Sequence, residues 1–222
     1  MKFKFTYSWL LVLFPLAFVF LYFLKSDDNK PIRFLPYYGP KNWSANNDTN
    51  YHSIPSFTFT NQYNQSFSNK DVKRKIYVCE YFFTTCKSIC PIMNTNLEKV
   101  YQLYKDNADF LILSHTVDPE TDSVAALLRY AQNHGVINKH WQFLTGNKKA
   151  LYELARQGYL LSADEGDGGA EDFVHTQNFA LIDENQHIRG YYDGTDSLEI
   201  NRLIIDINIL RQERAYKNKN NL

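Results

Sequence analysis

The chain has 222 residues, of which 44% are hydrophobic and 16% aromatic, with 24 basic and 24 acidic side chains. That length is enough for one domain with a large buried core and a short appendage. Because the charges cancel, the chain lacks the excess of Lys and Arg with which nucleic-acid-binding proteins neutralise phosphates. We therefore expect no nucleic-acid partner.

Residues 1–25 are predicted to form a transmembrane anchor. Residues 5–24, FTYSWLLVLFPLAFVFLYFL, carry no charge, and a helix of that length reaches roughly 30 Å, about the thickness of a bilayer's hydrocarbon core. Lys2 and Lys4 precede the stretch, which favours an N-terminus in the cytoplasm and a soluble domain on the periplasmic side of the cytoplasmic (inner) membrane. A cleaved signal peptide is the alternative, but no small-x-small cleavage pattern follows Leu24. A single-pass membrane protein is the expectation.

The rest of the chain is predicted to form a linker, a folded domain and a tail. Residues 26–52 are rich in Asn, Asp and Pro and indicate a linker, in which the apolar stretch FLPYYG is a candidate for docking onto the domain. The folded domain is predicted to span residues 53–213. Residues 214–222 are predicted to be a polar tail, in which AYKNKNNL is expected to fray.

The predicted elements of the domain alternate between strands and helices. A hairpin in SFTFTNQYNQSFS comes first. Strands in KIYVCEYFF, DFLILSHTVD and HWQFLTG then alternate with helices in MNTNLEKVYQLY, DSVAALLRYAQNHG and NKKALYELARQGY. HTQNFALIDENQHIRGYYDGTD predicts a second hairpin, and SLEINRLIIDINILRQER a last helix. This order predicts an α/β domain, a mixed sheet with helices on both faces, of the thioredoxin-like fold.

Two cysteines follow the first core strand, in the stretch FFTTCKSICP. Cys86 and Cys90 lie at a strand-to-helix junction, where the helix N-terminus stabilises a thiolate. A structural disulfide gains little here, because the closed loop is short. In a helix, the i,i+4 spacing holds Cβ atoms about 5 to 6 Å apart, wider than the roughly 3.5 to 4.5 Å of a disulfide. The spacing permits a redox-active pair and slightly favours metal ligation.

Several other polar residues are candidates for the site or for the core. Cys79 lies inside a predicted strand and is expected to be a small buried hydrophobe. Among the six histidines, His115 is expected in the core, and composition alone does not single out His175 as a ligand. Asp118 either lines the site or shapes a turn. The acidic loop SADEGDGGAED is expected to be a solvated loop, with gating of the site or contact with a partner as its alternative role.

Three stretches together, FFTTCKSICP, VDPETDS and VHTQNFALIDENQHIRGYYDG, resemble the Sco/SenC family over roughly residues 52–211. Members of that family are membrane-anchored, thioredoxin-fold proteins associated with copper delivery to cytochrome c oxidase. The resemblance implies that Cys86, Cys90 and His175 bind copper, and that the cysteine pair can cycle between dithiol and disulfide. Many relatives have Pro and Asp where this chain has Lys87 and Ser88, so the nearby cation is expected to lower the thiolate pKa values.

The resemblance therefore implies a copper metallochaperone for the binuclear copper centre of the oxidase, with the oxidase subunit and a copper donor chaperone as partners. Two thiolates and an imidazole suit Cu(I), and Cu(II) with an added ligand, whereas structural zinc favours a fourth protein donor. The alternative function is a thiol-disulfide oxidoreductase that reduces cysteines of the oxidase subunit or acts in redox signalling. In that case Cys86 attacks and Cys90 resolves, and only then is the protein an enzyme.

Overall fold

The computed structural model describes Pro15 and residues 32–43, 49–161 and 176–220. The chain divides into two compact units, Met1–Arg33 and Phe34–Leu222. Within these described ranges, no helix is both long enough and apolar enough to cross a bilayer. Of the predicted anchor only Pro15, which is helical, is among the described residues. The membrane segment stays a prediction.

The second unit alternates strands and helices, as the sequence predicted. The strands run as follows: β1 Lys41–Trp43, β2 Thr49–Tyr51, β3 Thr58–Asn61, β4 Ser66–Ser68, β5 Ile76–Phe82, β6 Phe110–Thr116, β7 Trp141–Thr145, β8 Asn178–Ile182 and β9 Ile188–Asp193. The helices are α1 Cys90–Tyr104, α2 Val124–Asn133, α3 Lys148–Glu153, which continues as a π-helix over Leu154–Gly158, and α4 Ser197–Asn220.

Seven strands form one sheet in the order β4-β3-β7-β6-β5-β8-β9, and β1 pairs with β2 in a separate hairpin. Strands β5, β6 and β7 are parallel, and β3, β4, β8 and β9 join the sheet antiparallel. Helices α1 and α2 provide the crossovers that parallel neighbours require. The predicted mixed sheet is confirmed, and its central strands place the two cysteines at one edge.

Alternation along β5 divides its side chains between two hydrophobic cores. Ile76, Val78 and Phe82 pack with the apolar side chains of α1, α2 and α4. Tyr77 and Cys79 point to the other face, where they pack with the helical stretch that includes α3. Because successive side chains of a strand face opposite sides, the helices cover both faces of the sheet, as predicted.

The ends of the helices differ in places from the predicted ones. Helix α1 begins at Cys90, so the second cysteine is already helical. Helix α2 begins after Ser123, whose side chain caps it by accepting a hydrogen bond from the Ala126 N–H. Helix α4 continues to Asn220, although residues 215–220 were predicted to fray. Within this extension the Tyr216 ring packs edge-on against Phe34.

A segment of the predicted linker docks onto the domain through a buried arginine. Arg189 on β9 donates from Nη1 to Asp183 at 2.9 Å and from Nη2 to Glu213 at 2.8 Å. The same guanidinium donates to the main-chain carbonyls of Leu35, at 2.6 Å, and Pro36, at 3.0 Å. The Leu35 N–H in turn donates to Glu213 at 2.5 Å. The stretch FLPYYG is therefore held on the domain by a paired set of charges.

Candidate metal and thiol centre

The two cysteines lie together at the carboxyl end of β5. Cys86 is in the loop after the strand and is partly exposed, whereas Cys90 is the first residue of α1 and is buried. Both are free thiols, and Cys90 donates a hydrogen bond to the Cys86 sulfur. Thus the structure brings together the two cysteines that the sequence singled out. Pro91 follows in the first turn of α1, where a missing N–H costs nothing.

Hydrogen bonds to sulfur make Cys86 the more acidic thiol. Partial burial acts to raise its pKa, but the Cys90 thiol, the Cys90 and Ser88 N–H groups and the Ser88 hydroxyl together lower the pKa below its ordinary value. The Ser88 hydroxyl lies 3.7 Å from the sulfur. These donors belong to the loop and the first turn of α1, so the expected thiolate is stabilised mainly by local hydrogen bonds rather than by the exposed Lys87.

Cys90 has the opposite character. Burial, followed by the hydrogen bond that its thiol gives to Cys86, raises its pKa to about 12, and the charges of Cys86 and Glu80 act in the same direction. At neutral pH the pair therefore consists of one thiol that ionises readily and one that keeps its proton. This asymmetry suits a nucleophile and its resolving partner, and it also means that a metal must displace the Cys90 proton.

A buried acid lies on the same sheet face as Cys90. Glu80 on β5 is fully buried, and the hydroxyl of Ser114 on β6 donates to its Oε1 at 2.5 Å. The Trp141 indole donates to that same hydroxyl oxygen at 2.8 Å, whereas Glu80 Oε2 has no partner. Burial raises the pKa of Glu80 to about 8, although the Ser114 hydrogen bond opposes the shift. The carboxyl is therefore protonated at neutral pH.

A second buried carboxyl, Asp122, lies between the cysteine loop and the start of α2. It accepts hydrogen bonds from the Thr84 N–H, the Thr84 hydroxyl and the Thr116 hydroxyl. Asp118, one of the open candidates, shapes the same turn, because its carbonyl accepts from the N–H groups of Thr121 and Asp122. In the sequence, Asp122 is only the first residue of the predicted helix DSVAALLRYAQNHG, and Ser123 is the residue that caps that helix.

The third predicted ligand, His175, lies outside the described residues, as does the acidic loop before it. The residues that the structure describes contain no group of three or more His, Cys, Asp and Glu side chains that could hold a metal ion. His115 is buried in the core as predicted, where burial lowers its pKa to about 3, and Cys79 is fully buried as well. The described part of the site is thus the cysteine pair with its acidic surroundings.

Two functional candidates, Glu80 and Asp122, were not predicted from the sequence. Glu80 carried a signal, since it is the one charged residue inside the apolar run IYVCEYF of β5. A carboxylate in such a run is either paired, neutral or functional. Asp122 carried a weaker signal. It is the last residue of DPETD, which is part of the family resemblance, but it also begins the predicted helix DSVAALLRYAQNHG.

Comparison with known proteins gives the family. Residues 45–208 match the model of the family SCO1/SenC, which is most of the domain. The SCO1 protein homolog of Bacillus subtilis is 28% identical over 158 residues, 70% of this chain and 81% of the relative. A protein of Stutzerimonas stutzeri, provisionally described as copper-binding, is 28% identical over 145 residues, 63% of this chain and 68% of the relative.

The fold comparison agrees. The solved structure of BsSco, described as a member of the Sco family of cytochrome c oxidase assembly proteins with a disulfide switch, is 26% identical. It superposes with a TM-score of 0.61 over 72% of this chain and 93% of its own. The predicted thioredoxin-like fold is confirmed. With its cysteine pair at the expected strand end and its matched length, the chain belongs to the SCO1/SenC family.

Proposed function

We propose that this protein is a copper metallochaperone that binds one copper through Cys86, Cys90 and His175 and delivers it to the binuclear copper centre of cytochrome c oxidase. The observation that carries the proposal is the adjacent pair of free thiols, one partly exposed, at the carboxyl end of β5. Membership of the SCO1/SenC family supports it, as do the copper-binding description of one relative and the oxidase-assembly description of another.

The donor set fits copper. Thiolate sulfur is a soft ligand that selects Cu(I), and an imidazole is compatible with both copper oxidation states. Two sulfurs on a loop and a helix N-terminus, with the third donor from a distant part of the chain, leave coordination positions open for a ligand of the recipient. A carrier needs such an open position, because it passes its cargo by ligand exchange. The bound copper is thus the cargo of the protein.

The anchor and the compartment are part of the same proposal. An uncleaved segment at residues 5–24 would tether the domain to the periplasmic side of the cytoplasmic membrane. That tether confines the carrier to the membrane in which an oxidase is assembled. It also lets a copper donor chaperone and the oxidase subunit meet the same exposed sulfur in turn.

The test is copper titration of the reduced full-length chain in detergent, with a probe ligand of known copper affinity as competitor. We expect one copper per chain and a sulfur-to-copper charge-transfer band when Cu(II) is bound. Cys86→Ser and Cys90→Ser should each abolish retention, and His175→Ala should weaken it at least about tenfold. His187→Ala is the matched control, since His187 bonds to the His52 carbonyl away from the thiols.

Unchanged retention by His175→Ala would reject the three-ligand site. Retention by the double cysteine variant would reject copper binding at this place altogether. Because His187→Ala removes an imidazole of the same kind, equal losses in both histidine variants would show a general effect on folding instead of a lost ligand.

The asymmetry of the two thiols favours a second candidate, a thiol-disulfide oxidoreductase. The Cys86 thiolate would attack a substrate disulfide, forming a mixed disulfide and releasing one substrate thiolate. Cys90 would then lose its proton and attack the Cys86 sulfur, which releases the second substrate thiolate. The pair gives up two electrons and two protons, the substrate disulfide becomes two thiols, and a small dithiol reductant restores the pair.

Turnover with metal-free protein tests this second function. Reduction of an oxidised peptide carrying two cysteines should require both Cys86 and Cys90, and Cys90→Ser should trap the mixed disulfide. His175→Ala should leave the turnover unchanged within about twofold, since that residue would be a ligand only. Loss of copper binding with retained turnover in His175→Ala would separate the two functions.

A further inference from the structure

Asp122 ties the cysteine loop to the neighbouring strand. Its side chain is fully buried at the end of the turn that follows β6. On the loop side, the Thr84 hydroxyl donates to Oδ1 at 2.5 Å, and the Thr84 N–H donates to both carboxylate oxygens at 3.2 Å. The carboxyl of one segment therefore satisfies the main chain and the side chain of a residue two positions before Cys86.

The strand side of the link is equally specific. The Thr116 hydroxyl at the end of β6 donates to Asp122 Oδ2 at 2.5 Å and accepts from the Asp118 N–H at 2.9 Å. The Asp122 N–H closes the turn by donating to the Asp118 carbonyl at 2.8 Å. Asp122 is thus held by its own turn, and the position of that turn is fixed by the sheet.

Helix capping does not account for this arrangement. Ser123 is the N-cap of α2, with its hydroxyl accepting from the Ala126 N–H at 3.3 Å, so the helix has a cap without Asp122. Burying a carboxyl is costly unless donors surround it, and this one has three donors, two of them on the cysteine loop. The geometry is that of a link between two segments.

The loop itself has little other regular structure. Residues 83–89 are neither strand nor helix, and the Cys86 N–H makes a long turn bond of 3.3 Å to the Phe83 carbonyl. The sulfur of Cys86 receives its hydrogen bonds from Ser88 and Cys90. A displacement of the loop at Thr84 would therefore change how these donors meet the Cys86 sulfur.

We propose that Asp122 is a positioning residue that fixes the Cys86 loop in its dithiol arrangement and so sets the balance between the dithiol and the disulfide. The structure contains the two free thiols with this link made. Stabilising the dithiol arrangement makes the pair a weaker reductant, so loss of the link shifts the pair toward the disulfide. This inference deepens the proposed function, but the dithiol-disulfide equilibrium is measurable whether or not copper binds.

The experiment compares two matched variants, Thr84→Val and Thr116→Val, with Asp122→Asn as the third. Each valine replaces a threonine of almost the same shape and removes one 2.5 Å hydrogen bond to Asp122, one on the loop side and one on the strand side. The full-length chain in detergent is equilibrated with mixtures of reduced and oxidised glutathione, and the disulfide fraction is measured. Urea unfolding is measured in parallel.

We expect Thr84→Val and Asp122→Asn to shift the equilibrium constant toward the disulfide about tenfold, which corresponds to about 30 mV for a two-electron couple. Thr116→Val should lose similar stability yet shift the equilibrium less than about threefold, because the loop side of the link remains. Copper affinity measured on the same samples tests the proposed function separately.

Equal shifts in the two threonine variants, or none in either, would overturn the positioning role and leave Asp122 as a structural residue only. A shift toward the dithiol in Thr84→Val would overturn it as well. If Asp122→Asn does not fold, the two threonine variants still decide. If no variant, including the unmodified chain, binds copper, the metallochaperone function fails while this inference is judged on the equilibrium alone.

Discussion

Buried carboxyl groups near the two ends of β5 differ in how they are paired. Beyond its amino end, Asp183 and Glu213 are both paired with Arg189, whose guanidinium side chain is 1% exposed. Toward its carboxyl end, Glu80 has one hydrogen bond, from Ser114, and an oxygen without a partner. Burial costs are therefore offset by opposite charge at one end and by protonation at the other.

The Arg189 ion pairs thus have a structural role, whereas the carboxyl of Glu80 is able to change its protonation state. The hydrogen bonds that Arg189 and Glu213 make with the main chain of Leu35 fix the docked segment. Glu80 is a buried carboxyl with one neutral hydrogen-bond donor, and burial raises its pKa to about 8. When Glu80 is ionised, its charge raises the pKa of Cys90. Among the acidic groups compared, the one with an unpartnered oxygen, Glu80, is therefore the one at the thiol end.

The largest predicted effect is on the pH dependence of stability, tested by Glu80→Gln. Below the ordinary pKa of 4.5 the carboxyl is protonated in both the folded and the unfolded chain, so it costs nothing. Between pH 4.5 and about 8 the unfolded chain ionises while the folded one does not, so stability falls as pH rises. The full loss is on the order of 5 kcal/mol.

Urea unfolding at several pH values measures this. The variant should equal the unmodified protein near pH 4 and exceed it progressively up to about pH 8, because glutamine has no proton to lose. Glu120→Gln, at an exposed position, is the control and should show no such trend. A constant difference at all pH values would mean that Glu80 is ionised in the folded protein.

The next effect concerns the paired end. Arg189→Met should lower the free energy of unfolding by about 4 kcal/mol, because it leaves Asp183 and Glu213 buried without a counter-charge and frees the carbonyl of Leu35. Urea unfolding at pH 7 measures the loss. Lys70→Met, at an exposed site, is the control and should cost less than about 0.5 kcal/mol.

Thiol reactivity in the same variant tests whether the two ends of β5 are independent. Arg189 on β9 lies near the amino end of β5, away from the thiols at its carboxyl end. The alkylation rate of Cys86 in the folded Arg189→Met protein should therefore stay within about twofold of the rate in the unmodified protein. A large change in that rate would show that the two ends are energetically coupled and do not behave independently.

Much of the fold was predictable because its signals are local. Continuous apolar runs predicted β5 and β6, and turn residues predicted the hairpin of β8 and β9. The cysteine pair was predictable for the same reason, since a strand followed by CxxxC places both thiols at a strand end. His175 came from the family resemblance, and its role stays a prediction.

What sequence could not supply were partners far apart in the chain. Arg189 bonds to Leu35 and Glu213, which are 154 and 24 residues away, and no local pattern indicates such pairs. The helix was predicted to end at residue 214 because the tail is polar, but it continues to Asn220, and Tyr216 in that extension packs against the distant Phe34. Asp122 was placed at the start of the second helix, and only the tertiary structure shows its hydrogen bonds with Thr84.

The smallest predicted effect distinguishes two explanations for the acidity of Cys86, both tied to residues where this chain departs from many relatives. The Ser88 hydroxyl contributes one of several hydrogen bonds that lower the pKa of Cys86, whereas the Lys87 ammonium is exposed.

At pH 7, Ser88→Ala should slow alkylation of Cys86 about twofold, since one weak hydrogen bond to sulfur is lost. Lys87→Gln should slow it less, and any effect should vanish in 1 M salt, where exposed charges are screened within about 3 Å. The measurement is the rate of iodoacetamide labelling in the reduced, metal-free chain, in low and high salt. A greater and salt-sensitive slowing in Lys87→Gln would restore the charge as the main cause, and the thiol end would then depend on long-range electrostatics instead of on local donors.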